Sequence, residues 1–287
     1  MGQGQPVQKN TTMEAIVEGL RKLLAEPEIR QADAETRRIV VKDALIPYFL
    51  KFIYGHKIYR QLAFYGGSCA RVVYGLNRMS EDIDLDNSLG LNLANFKKDL
   101  GSYIRGELQL KTGDVYCQAG ELIKRWTVRL PILHDLDLSA NQSEKLHVKL
   151  EVSPQKQTAI IVKTPVVRHG KSMVITHWDK ATLMAGKMIA CLERGAARDY
   201  FDLVWYMQQQ AKPLEEKLLK DAKVSRTTRQ AFLDLEKKIK NIKPIELITD
   251  LTPLFPEKIF VEEWVKNFKD FFARYAEFTK LVLDTEF

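Results

Sequence analysis

Cysteine is scarce in this 287-residue chain: three residues, Cys69, Cys117 and Cys191, far apart and odd in number. That excludes a disulfide framework and any CxxC metal knuckle, and it suits free thiols in a reducing compartment. Histidine is nearly as sparse, with five residues (56, 134, 147, 169, 177) and no HxH or HxxxH spacing, so a zinc site is not expected. No apolar run nears the roughly 18 residues of a membrane span. The polar start, residues 1–10, lacks the apolar stretch of a signal peptide. Gly2 is no myristoylation site, because Pro6 stands where Ser or Thr is needed. No repeat or low-complexity tract interrupts the chain. A cytoplasmic protein with no membrane partner is expected.

What is present is apolar bulk and positive charge. Hydrophobic residues make up 45%, enough for a substantial core and too many for wholesale disorder. The net charge is +7 and the pI about 9.1, which suits a polyanionic partner without requiring one. Residues 44–80 hold five Lys or Arg and no acid, and residues 145–171 hold six against Glu151 alone. Such stretches either track a phosphate backbone or form a solvated surface.

Periodicity predicts helices over 13–25 and 34–54, the second bent at Pro47. A strand is expected over 61–65, a helix over 69–76, a strand over 82–86 and a helix over 95–108. Strands follow at 122–133, 145–152 and 159–167. Beyond Trp178 the pattern is helical: 178–192, 198–210, 214–221, 227–240 and a long amphipathic piece over 256–282. Helices, a mixed sheet region and a helical C-terminal part spell α+β rather than alternating βαβ. The soft boundary at 170–178 divides an N-terminal domain, 1–175, from a helical domain, 176–287.

The most informative segment is Ser80-Glu81-Asp82-Ile83-Asp84-Leu85-Asp86. Strand residues two apart share a face, so Asp82, Asp84 and Asp86 point one way and Ile83 and Leu85 the other. Carboxylates about 7 Å apart repel unless a cation sits among them. Hard divalent ions such as Mg²⁺ accept such oxygens together with substrate phosphates, although a solvated polar face is the ordinary reading of a bare DxD. Upstream, Gly66-Gly67-Ser68 follows a strand and opens a helix. Two glycines let a ligand approach the backbone, and free N–H groups at a helix start suit phosphate. An ordinary turn with an N-cap has the same sequence. On the 145–152 strand, His147, Lys149 and Glu151 share one face, and Glu151 stands as an isolated acid in basic surroundings. It is either a third metal-binding acid or a surface partner of Lys149 or Lys156. Three acids could hold two ions, which deprotonate an attacking hydroxyl and neutralise a transferring phosphate.

Lys180, Lys187 and Arg194 fall at i, i+7 and i+14, one basic stripe on a helix that Gly195 can cap. Asp199 and Asp202 share a face in the first turn of the next helix. They complement its dipole or pair with Arg198, or Asp199 orients Lys187 against phosphate oxygens. Tyr200, Phe201, Trp205 and Tyr206 have the spacing of core. Ser68 lacks a hydrolase triad signature.

Taken in order, the Gly66-Gly67-Ser68 turn, Arg71-Val72-Val73-Tyr74-Gly75 and Ser80-Glu81-Asp82-Ile83-Asp84-Leu85-Asp86 closely resemble the signature of AbiEii-type nucleotidyltransferases. These are abortive-infection and toxin–antitoxin toxins of the polymerase-β-like nucleotidyltransferase superfamily. Lys149-Leu150-Glu151-Val152 resembles the family's second motif, Lys187 with Ala190 its third, and Arg198-Asp199 with Asp202 its fourth. The resemblance spans about 40–210. It implies a polymerase-β-like mixed sheet with flanking helices plus a helical C-terminal domain that contributes Lys187 and Asp199. It implies Asp82, Asp84 and Glu151 as metal ligands, and Gly66, Gly67, Ser68, Lys187 and Asp202 as nucleotide-binding residues. Asp199 would be the fourth-motif catalytic acid. The cofactor implied is Mg²⁺, two ions, with Mn²⁺ as substitute. The activity implied moves NMP from an NTP to an acceptor hydroxyl, foremost the 3′ end of tRNA or another RNA, in a toxin with a cognate antitoxin. Two alternatives are a transferase acting on a small molecule or protein side chain, and a non-catalytic RNA-binding module. Two features depart from the family pattern: thirteen residues separate Ser68 from Asp82, and the third acid is Glu rather than Asp.

Overall fold

A computed structural model describes residues 12–110, 113–120, 123–153 and 156–284. The leader 1–10 and Leu122, the first residue of one expected strand, lie outside these. Three helices come first: α1 (Thr12–Leu24), α2 (Pro27–Arg30) and α3 (Ala34–Gly55). The Asp33 carboxylate caps α3 by accepting from the Thr36 N–H at 2.8 Å. The helix continues through Pro47.

Strand β1 (Ala63–Tyr65) leads straight into α4 (Gly66–Tyr74), then come β2 (Asp82–Asp86), α5 (Phe96–Gly106), β3 (Asp114–Ala119) and β4 (Lys124–Leu130). The sheet is completed by β5 (Leu146–Ser153), β6 (Ile161–Arg168) and β7 (Lys171–Trp178). All seven strands form one sheet in the order β3-β4-β5-β2-β1-β7-β6. β2 pairs parallel to β5 and antiparallel to β1, while β7 pairs parallel to β1, so the sheet is mixed as expected.

Strand alternation decides which side of this sheet is core. Ile83, Leu85, Val148, Leu150, Trp126 and Val128 are buried on one face, and Phe96 of α5 packs on Trp126 with ring centroids 4.5 Å apart. The acids of β2 occupy the other face.

The C-terminal part is helical: α6 (Lys180–Glu193), α7 (Ala197–Gln208), α8 (Glu215–Lys220), α9 (Thr228–Lys240), α10 (Pro244–Leu251) and α11 (Lys258–Asp284). Asp179 caps α6 through Thr182 at 2.8 Å, and Thr227 with Gln230 forms a capping box on α9. Among the described residues no helix is long and apolar enough to cross a membrane.

Strands β3 and β7 and helices α2 and α10 were not expected from periodicity. β7 carries the run Met173-Val174-Ile175 in the zone assigned to a domain boundary. The division at 175/176 therefore falls inside the sheet, and Thr176, His177 and Trp178 belong to β7. Helix α4 starts three residues earlier than expected, at Gly66 itself.

Candidate active site

The site begins with strand register. Tyr65 lies opposite Asp84, Asp84 opposite Glu151, and Glu151 opposite Arg125, so one row crosses β1, β2, β5 and β4. Asp82, two residues along β2, lies opposite Lys149. Residues some 67 positions apart in sequence thus meet because parallel pairing fixes which side chains share a face.

The Gly66-Gly67 pair has a different task from a simple phosphate loop. Gly66 has φ +78°, and a Cβ there would fall onto the Asp84 carboxylate. A Cβ on Gly67 would fall onto the Arg78 guanidinium. Each glycine makes room for one charged group at the start of α4. Both line a cleft of about 760 Å³ together with Asp82, Asp84, Arg125, Lys149, Glu151, Lys187, Arg194 and Arg198.

Ser68 does not join them. Its side chain is buried, its hydroxyl sharing a hydrogen bond with the Ser80 hydroxyl at 2.6 Å and donating to the Asp82 carbonyl. It pins α4 to the entry of β2 and turns away from the cleft. Ser68, expected to bind nucleotide phosphate, is not among the residues that line the cleft.

Burial raises the Asp84 carboxyl to about 7, helped by the neighbouring Asp82 and Glu151 carboxylates and opposed by Lys187 and Arg198. Asp82 is raised in the same direction, again chiefly by burial. Two acids held at a cost in one concave place form a donor set suited to a hard cation. Glu151 stands apart from that pair: its Oε1 accepts from Arg125 Nε at 2.7 Å. Among the described residues no three His, Cys, Asp or Glu side chains stand close enough to share a metal ion. The three-acid seat expected from the sequence is therefore present as register, but its third carboxylate is drawn aside by Arg125. The donor set that fits a cation here is Asp82 with Asp84.

Across the cleft lies a chain of buried charges. Lys187 Nζ is 3.0 Å from Asp199 Oδ1 and 2.7 Å from Asp202 Oδ2. Asp202 also takes two hydrogen bonds from Arg78, at 2.6 and 2.7 Å. Asp199 takes two from Arg194, at 2.7 and 2.8 Å. Both aspartates are wholly buried. Burial works to raise the Asp199 carboxyl, but Arg194 and Lys187 overcome it and hold it well below the usual carboxylate range. Arg78 and Lys187 do the same for Asp202.

A carboxylate so placed orients cations and is a poor proton carrier. Asp199, expected as a catalytic acid, and Asp202, expected to bind nucleotide, are both held by cations, and neither lines the cleft. Gly195, at φ +69°, turns the chain between α6 and α7 so that Arg194 and Asp199 can meet. Lys180, the first residue of the expected stripe, lies over the Tyr74 ring at 5.4 Å.

Sequence spacing missed several lining residues. Tyr65 stacks on Trp178 at 4.4 Å, and Trp178 Nε1 donates to Asp86 at 3.0 Å, so the third acid of the strand faces tryptophan. Arg125 and Lys217 also enter the cleft. No local motif marks them, because their partners are on other elements.

The inner strand β2 thus carries paired acids, with a glycine-opened helix beside them and a clamped lysine opposite. The sequence profile of the AbiEii nucleotidyl transferase toxin family, type IV toxin–antitoxin system, matches residues 56–285. The chain belongs to that family and is a nucleotidyltransferase. Two solved structures share the fold. One is a proposed nucleotidyltransferase from H. pylori, with TM-score 0.51 and 19% identity over 83% of this chain and 97% of that one. The other is the nucleotidyltransferase toxin MenT4 from Mycobacterium tuberculosis H37Rv, with TM-score 0.53 and 14% identity over 89% and 92%. No curated protein matches the chain in sequence. The family's system implies a nucleotide substrate and an antitoxin partner, and nucleotidyltransferases as a class use divalent metals.

Proposed function

We propose that this chain transfers NMP from an NTP to a hydroxyl at the 3′ end of an RNA, foremost tRNA, as a growth-inhibiting toxin. The observation that carries the proposal is the Asp82–Asp84 pair, opened by Gly66 and faced by Lys187. Mg²⁺, or Mn²⁺ in its place, would be held by Asp82 and Asp84, and would neutralise charge at the transferring phosphate. A second ion would also need Glu151, released from Arg125.

The protein's own groups account for the rest. Lys187 and Arg194 share Asp199 as a common anchor and present two fixed cations to the triphosphate. Gly66 and Gly67 bring the start of α4 against the same phosphates. The acceptor oxygen attacks the α-phosphorus in line, the bond to the β-phosphate breaks, and pyrophosphate departs against the two cations. The hydroxyl proton passes to solvent in the open cleft. Positioning and charge neutralisation supply most of the rate. Beyond β7, the helical C-terminal part delivers Lys187 and its anchors through α6 and α7.

The test incubates the protein with Mg²⁺, each labelled NTP and total tRNA, beside Asp82→Asn. Label on RNA that vanishes in the variant supports the proposal. Label that survives Asp82→Asn refutes the metal assignment. Label on protein or a small molecule, with none on RNA, moves the function to the alternative acceptors.

A further inference from the structure

The face of the sheet that carries Asp82 and Asp84 does not end at the cleft. Register places three more rows of side chains on it beyond β2. Glu151, Arg125 and Gln118 form the first row, Lys149, Thr127 and Tyr116 the second, and His147, Arg129 and Asp114 the third. Neighbouring rows lie about 7 Å apart and neighbouring strands about 4.8 Å. The opposite face of β4 and β5 is buried core, whereas this one is open: Tyr116 is 50% exposed, and Gln118 and His147 are exposed too.

Its charge is one-sided. Among the described residues, Arg125, Arg129, Lys149 and Lys145 meet only two acids outside the metal pair, Glu151 and Asp114. Each acid is already held by an arginine, at 2.7 and 2.8 Å. Lys145 lies 3.7 Å from the same Asp114, and Arg129 leans over the Tyr116 ring at 5.7 Å. Lys149, Arg125 and Glu151 also line the cleft, so the basic face runs into it without a break.

We propose that the open face of β3, β4 and β5 is a track for unpaired single-stranded nucleic acid, which leads a strand end to Asp84. Resting on the function proposed above, it adds where the acceptor lies. Arg129, Lys145 and Lys149 follow the phosphates. Tyr116, the one exposed aromatic ring on the face among the described residues, stacks on a base, which only an unstacked strand can offer. An acidic peptide would satisfy the cations but leave the ring without a base-like partner.

The experiment measures anisotropy of a fluorescein-labelled single-stranded RNA 12-mer on the full chain, with no NTP or metal, across a salt series. The same strand in a duplex and a poly-glutamate peptide are the controls. Wild type binds the single strand best. Tyr116→Ala weakens it by about 5- to 100-fold, while Tyr116→Phe retains it. Lys145→Gln lowers the salt slope by about one. All variants bind Mg²⁺–NTP as wild type does, and their melting curves guard against misfolding. The proposal is overturned if Tyr116→Ala and Lys145→Gln bind like wild type, if duplex or peptide binds as well as single strand, or if no RNA binds. Because no transfer step is needed, a strand bound through this face but never labelled would defeat the transferase reading alone.

Discussion

Replacing Asp84 by Asn tests the central electrostatic claim. Burial raises this carboxyl from 3.8 to about 7, so above neutral pH the folded protein holds an ionised acid in a place that disfavours it. The unfolded chain releases the proton near 3.8. The folded state therefore binds the extra proton between those values, and its stability falls as pH climbs from about 4 to about 7. Three units at about 1.4 kcal/mol each place the full penalty near 4 kcal/mol. Asn carries no such charge but still leaves its amide buried, so the expected gain at about pH 8 in chelator is about 2–4 kcal/mol. For a chain of this size that is a rise of about 5–10 °C in Tm.

Near pH 5 the gain shrinks to about 1–2 kcal/mol, because wild type is largely protonated there. Comparing the two proteins cancels opposing groups such as His177, whose depressed pKa favours the folded state as pH rises. Millimolar Mg²⁺ should then stabilise wild type by mass action and leave the variant unmoved. Urea unfolding followed by circular dichroism, at both pH values with chelator or Mg²⁺, reads all four conditions. A variant less stable than wild type in chelator at pH 8, or a difference that ignores pH, would refute the reasoning.

Ser68→Ala removes a buried joint to Ser80 and should cost about 1 kcal/mol in urea unfolding, with the KM for NTP nearly unchanged; a large rise in KM would return Ser68 to the phosphates. Gly66→Ala meets both a positive φ and the Asp84 carboxylate, so a loss of about 1–3 kcal/mol with abolished transfer is expected. Asp199→Asn leaves Arg194 and Lys187 without their shared anchor, a loss of about 3–5 kcal/mol with KM for NTP raised. Its stabilisation in wild type is present above the ordinary carboxylate value and is lost as pH falls into the acid range, a trend acid titration of the melt should show and Asp199→Asn abolish. Arg194→Ala should raise the inhibition constant of pyrophosphate, since the proposed mechanism sets this cleft-lining side chain against the leaving group; unchanged inhibition would remove it from that role.

Much of the site was legible because it is local. The alternation of Asp82, Ile83, Asp84 and Leu85 states both the strand and its wet face, and Gly66-Gly67 states a helix start that admits close approach. Spacing on α6 and α7 brought Lys187 and Asp199 into consideration, since residues at helical periods are neighbours whatever surrounds them. The sequence by itself thus determined the strand of acids, the glycine turn and the two helices that carry the clamp.

Tertiary structure decided what each group does. Whether Asp199 is an acid in contact with substrate or an anchor depends on Arg194 and Lys187 closing over it, and the pattern of α7 is the same in either case. Glu151 is drawn aside by Arg125 from an adjacent strand, and Ser68 is claimed by Ser80 across the α4–β2 joint. The open basic face of β3–β5 exists only once antiparallel pairing stacks three distant segments in register. Periodicity is a property of one segment, whereas partner choice, burial and the resulting charge state arise only when segments meet.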